Sequence, residues 1–96
     1  MQRNKLAHVG VQLSAMTVRV HFYSYFKDLT GCTETTEEVA NGITLRELYE
    51  QLVTRFPKLA AMRNSTLIAV GVDYQQRDYL LKAGDEVSLF PPVQGG

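Results

Sequence analysis

Apolar and polar side chains alternate from Thr17 onward. The segment TVRVHFYSY at 17–25 sets Val18, Val20 and Phe22 on one face and Arg19, His21 and Tyr23 on the other, the two-residue period of a half-buried strand. Residues 26–31 read as a short turn or helical link. Residues 32–39, rich in threonine and glutamate, predict a thin edge strand on which Glu34, Glu37 and Glu38 discourage unwanted pairing. The period then changes: Leu45, Leu48, Tyr49, Leu52, Val53 and Phe56 recur at helical spacing and predict a helix over 44–56. Thr44 with Glu47 three residues on is a capping-box pattern, and Pro57, which supplies no N–H, stops the helix. The run LIAVGV at 67–72 predicts a central strand, 73–76 a turn, 79–81 a short strand, 83–85 a turn and 86–90 a final strand with Val87 and Leu89 inward.

One main helix and four to five strands make an α+β domain, with the helix covering one sheet face and the other face open to solvent or partners. His21 and Tyr23 fall on that open face. The domain spans 17–90. Residues 1–16 form an N-terminal extension that reads either as a loose tail or as an added strand, since Val9, Val11 and Leu13 alternate, and 91–96 form an extended C-terminal tail.

A chain of 96 residues holds one small core and no deep private active site, so its chemistry is expected to need a partner protein. Ten basic and ten acidic side chains balance, which removes the electrostatic signature of a nucleic-acid or membrane-surface binder. The single cysteine, Cys32, forms no internal disulfide and suits a reducing cytoplasm. No apolar run approaches membrane-spanning length. With two histidines far apart, and Asp73, Asp78 and Asp85 separated by turns, no metal site is expected.

The end of the chain, FPPVQGG, carries the chemistry. Pro91 and Pro92 fix φ, cannot donate to a β-ladder, and aim the following residues, Val93 and Gln94, away from the body. Gly95 and Gly96 lack β-carbons, so the backbone can thread a narrow channel and present its terminal carboxylate to another protein. A free carboxylate is a poor electrophile and must be activated, most simply by adenylation, before a nucleophile attacks it. No phosphate-binding glycine loop occurs in this chain, so ATP belongs to an activating partner and no cofactor is bound here.

These features together resemble the ubiquitin-like β-grasp sulfur carriers, in particular the small subunits of molybdopterin synthase. The resemblance runs from Thr17 to Gly96 through the opening strand VRVHFYSYFKDLTG, the helix TLRELYEQLVTRFP, the strand LIAVGV, the segment KAGDEVSLFPP and the terminal GG. It implies a β-grasp fold with a mixed sheet. It also implies that Gly96 is adenylated by an E1-like enzyme, converted to a thiocarboxylate and inserted into the large subunit of the synthase. There it donates sulfur to cyclic pyranopterin monophosphate in molybdenum cofactor biosynthesis, the large subunit supplying the acid–base groups. The matching docking positions are Tyr23, Tyr74 and Phe90, and Lys27 is a further candidate contact for the activating enzyme. Gly71 departs from the family, where asparagine is common.

Cys32 has no histidine or basic neighbour in sequence to activate it and reads as a structural thiol. No nucleophile–base pair is evident, so the chain is expected to be non-catalytic by itself. Two other readings stay open on the residues alone: a sulfur carrier for thiamine, cysteine or tRNA thiolation, and a ubiquitin-like protein modifier.

Overall fold

The structure is a computed structural model, and it describes residues 15–92. The N-terminal extension up to residue 14 and the tail positions Val93, Gln94, Gly95 and Gly96 lie outside the described residues. Five strands form one mixed sheet: β1 (Ala15–Phe22), β2 (Glu34–Ala40), β3 (Leu67–Val70), β4 (Asp73–Tyr74) and β5 (Glu86–Phe90), in the order β2-β1-β5-β3-β4. First and last strands pair in parallel at the centre, and every other pairing is antiparallel. A short helix α1 (Phe26–Thr30), the main helix α2 (Leu45–Arg55) and a 3-10 helix (Pro57–Met62) complete the domain.

The strand periods set the layers. Val18, Val20 and Phe22 of β1, Val87 and Leu89 of β5, and Ile68 and Val70 of β3 turn to one face, where they pack with Leu45, Leu48, Tyr49 and Leu52 of α2. Val53 and Phe56 border this core and are partly buried. Tyr49 is 1% exposed, yet its hydroxyl is satisfied: it donates to the Leu59 carbonyl at 2.8 Å and lies 3.0 Å from the Thr66 hydroxyl, which donates to the Met62 carbonyl. Burial pushes the phenol's pKa up, so it stays protonated and the network keeps its donor.

Several expectations change. Strand β1 starts at Ala15, and Met16 is core, because both residues pair with the end of β2; the strand ends at Phe22, before Ser24 takes a positive φ of 57°. Glu37 does not guard the edge. It sits on the inner face, 3% exposed, where Arg55 and Gln51 of α2 reach down to its carboxylate, while Glu34 and Glu38 stay exposed on β2. The strand in LIAVGV stops at Val70, since Gly71 adopts φ 62° and opens a two-residue turn back into β4. Positive φ is tolerated by glycine and, at lower frequency, by asparagine, so the turn fits the residue found there. Asp73 and Tyr74 therefore form a strand where a turn was expected, and the expected strand at 79–81 reduces to one isolated bridge between Leu80 and Thr44.

The capping box is present in full. The Thr44 hydroxyl accepts from the Glu47 N–H at 3.1 Å, and the Glu47 carboxylate accepts from the Thr44 N–H at 2.9 Å. The hydrogen bond from the Thr44 backbone, followed by that from its hydroxyl, holds the Glu47 carboxyl below the usual carboxylate range. A depressed folded-state pKa stabilises the fold above the unfolded value, and that stabilisation disappears as pH falls through the folded value. Thr44→Ala is expected to lower stability by about 1 kcal/mol in urea unfolding at neutral pH. Glu47→Gln is expected to flatten the acid limb of stability against pH, and an unchanged limb would assign it to other carboxylates.

Candidate functional site

The open face of the sheet is assembled by the same alternation that builds the core. On β5 the outward residues are Glu86, Ser88 and Phe90; on β1 they are Ala15, Thr17, Arg19 and His21, with Tyr23 just past the strand end. The Tyr23 N–H donates to the Leu89 carbonyl at 3.2 Å, so the backbone there remains tied to β5 and the Tyr23 ring is brought over Phe90. The two rings stack with centroids 4.8 Å apart and planes within 8°. From the other side the Tyr74 ring meets Phe90 edge-on, at 6.1 Å and 78°. Three residues distant in sequence thus form one aromatic row across β1, β5 and β4.

Both tyrosines are well exposed, Tyr74 at 65%, while Phe90 between them is half-buried. An apolar body with a polar tip suits a surface that is wet when free and covered when bound. Phe90 is also the last residue of β5, and Pro91 follows it directly. The aromatic row therefore stands at the root of the tail that leads to Gly95 and Gly96.

Beside the row, the imidazole of His21 bridges two strands: Nε2 lies 2.9 Å from Glu86 Oε1 and Nδ1 lies 3.4 Å from Glu34 Oε1. The register places these groups together, since Glu34 faces His21 across β2 and Glu86 follows from the parallel pairing of β5. The His21 ring reaches Tyr23 at 6.3 Å and so abuts the aromatic row. Sequence reasoning placed His21 on this face but missed both carboxylate partners, because strand register is not written in either segment alone.

Lys27 stands exposed on α1, and its side chain has no ion pair or hydrogen bond among the described residues. The structure does not join it to the aromatic row. Cys32 is half-buried behind α1, with its thiol 3.7 Å from the Thr30 hydroxyl. Among the described residues no group of three or more His, Cys, Asp and Glu side chains could hold a metal ion, and no helix is long and apolar enough to cross a membrane.

The ThiS family model matches residues 20–96, from the middle of β1 to the last glycine. The chain belongs to the ThiS family. It is 32% identical to the molybdopterin synthase sulfur carrier subunit of Homo sapiens, over 82% of this chain and 93% of that protein. Among solved structures it is similar to a putative molybdopterin converting factor subunit 1 from Pyrococcus furiosus, with a TM-score of 0.75 and 31% identity over 81% of this chain and 99% of that one. It is also similar to a chain in the complex of subunits 1 and 2 of the Helicobacter pylori molybdopterin-converting factor, at a TM-score of 0.60 and 28% identity over 84% of this chain and all of that one. The ThiS-family fold here is the ubiquitin-like β-grasp, with its mixed five-stranded sheet and one main helix on the inner face.

Proposed function

We propose that this chain is the sulfur-carrying small subunit of molybdopterin synthase and works in molybdenum cofactor biosynthesis. The observation that carries the reading is the family match through the diglycine end, combined with curated relatives that are molybdopterin synthase sulfur carrier subunits. The aromatic row at the root of the tail supports it physically. A partner that covers Tyr23, Phe90 and Tyr74 gains apolar contact at the point from which the tail departs, so binding energy fixes the tail's origin relative to a distant active site.

The chemistry follows from the terminal carboxylate. An E1-like partner uses ATP to convert the Gly96 carboxylate to an acyl-adenylate, releasing pyrophosphate; a sulfur nucleophile then displaces AMP and leaves a thiocarboxylate. In the large subunit of the synthase, that sulfur passes to cyclic pyranopterin monophosphate, and two such deliveries supply the dithiolene. This chain contributes the reactive terminus and the docking face, and the partners contribute the acid–base groups. The single thiol, half-buried Cys32, takes no part, and the setting is the reducing cytoplasm.

Co-purification decides between this pathway and its alternatives. Affinity-tagged protein, tagged so that Gly96 stays free, is expected to retain the large synthase subunit from its own cells. Recovery of a thiazole synthase instead, or of lysine-linked conjugates, overturns the assignment.

A further inference from the structure

The outer face does not end at the aromatic row. It continues into an open depression of about 640 Å3 beside the turn that joins β3 to β4. Tyr23, His21 and Val72 line it together with three acidic residues, Asp73, Asp85 and Glu86, and without a lysine or arginine. Tyr23 thus belongs to both the row and the depression, and the two surfaces are continuous.

Val72 is the unexpected member. It is 97% exposed, at the second position of a tight turn where Gly, Asn, Asp and Ser are the usual occupants. A β-branched aliphatic side chain belongs in a half-buried strand, and in this position it gains nothing on folding. Broken local rules without a compensating contact mark surfaces kept for another purpose. The acids differ in availability. Asp85 already accepts from the Lys82 N–H at 2.9 Å and from the Tyr79 hydroxyl at 3.2 Å, and Glu86 is shared with His21. Asp73 is exposed and its carboxylate has no hydrogen-bond or ion-pair partner among the described residues.

We propose that this depression is the second half of the docking face and receives a basic side chain of the partner protein, flanked by an apolar one. The apolar group lies across Val72 and Tyr23, and the cation meets Asp73, with Glu86 behind it. The inference rests on the reading that the large synthase subunit docks on the aromatic row, and it adds the chemistry of the surface that subunit must present.

The test is titration of the full chain against the purified large subunit, by calorimetry and stopped flow. Val72→Ser is expected to weaken binding about tenfold at every salt concentration, as loss of an apolar contact does. Asp73→Asn is expected to slow association by about threefold or more at about 0.05 M salt, the difference fading at about 0.5 M. Both side chains are exposed, so melting temperatures stay at the wild-type value. Leu80→Ser, exposed but outside the depression, is the control and leaves binding unchanged.

If the wild-type chain binds and Phe90→Ala weakens it, while Val72→Ser and Asp73→Asn bind like wild type, the depression is idle and this inference fails alone. If the wild-type chain does not bind the large subunit, both this inference and the assigned function fall. Sedimentation of the free chain covers the remaining occupant: self-association lost in Val72→Ser, with partner binding intact, assigns the depression to a second copy and overturns the proposal.

Discussion

Deleting Gly96 is expected to abolish sulfur transfer and to leave the thermal transition at the wild-type temperature. Among the described residues the buried cluster runs from Met16 to Leu89, and the last strand closes its ladder with Phe90 opposite Leu67, so every core residue described precedes the tail. Removing one residue beyond Pro92 therefore takes nothing from the core described here. On the proposed function it moves the sulfur-bearing carboxylate by one residue, about 3.5 Å if the chain there is extended. Reacting groups need placement to within a fraction of an ångström, so a displacement of that size is expected to reduce transfer by several orders of magnitude. Adding one residue after Gly96 is the matching experiment, since it keeps every native side chain and still misplaces the terminus. Transfer measured with purified partners should vanish in both variants. Retained transfer in either one contradicts the assignment of sulfur to the terminal glycine.

Phe90→Ala is expected to have the second large effect, on partner binding. Phe90 is the hub of the aromatic row: without it Tyr23 loses a stacked ring at 4.8 Å and Tyr74 loses its edge-on contact. Each such aromatic pair is worth about 0.5–1.5 kcal/mol beyond the area it buries, so the free protein loses roughly 1–3 kcal/mol of stability. Binding suffers more. A central aromatic in a docking face is a common hot spot, and its truncation is expected to cost at least about 2 kcal/mol, or roughly 30-fold in Kd for the large subunit. Calorimetric titration well below the melting temperature separates the two losses. Because Tyr23 acts through the same stack, the double variant with Tyr23→Ala should lose less than the sum of the single losses. Wild-type affinity in Phe90→Ala contradicts the aromatic row as a docking face.

Much of the architecture was legible because period and length specify it. The helix at 44–56 carried both its apolar stripe and its capping box, and the structure places it at Leu45–Arg55 between caps at Thr44 and Phe56. The opening and closing strands were equally plain in their alternation. Misreadings came where a short segment takes its state from its neighbours. Nothing in the Asp73–Tyr74 dipeptide signals a strand; it becomes one because Gly71 reverses the chain and lays it against Val70 and Ala69. Val72 read as strand because its chemistry is that of a strand. Glu37 read as an edge guard because its charge suggests water, yet register turns it inward to Arg55 and Gln51.

The candidate site divides the same way. The diglycine tail and the two prolines are local signals and could be read directly. The gathering of Tyr23, Phe90 and Tyr74 depends on a sheet order of β1-β5-β3-β4, which puts the first and last strands side by side, and the residues alone do not give that order. A resemblance to known carriers supplied those positions; pairing geometry explains why they meet. The clamp of His21 between Glu34 and Glu86 had no local signal at all.

Sulfur that travels on the terminal carboxylate leaves a mass signature, and intact-mass spectrometry of the protein isolated from its own cells detects it. The expected result is a population in which one oxygen of Gly96 is replaced by sulfur, located to the C-terminal fragment and lost when the activating enzyme is deleted. A chain that carries only the ordinary carboxylate, in cells that make the cofactor and with the activating enzyme present, contradicts it.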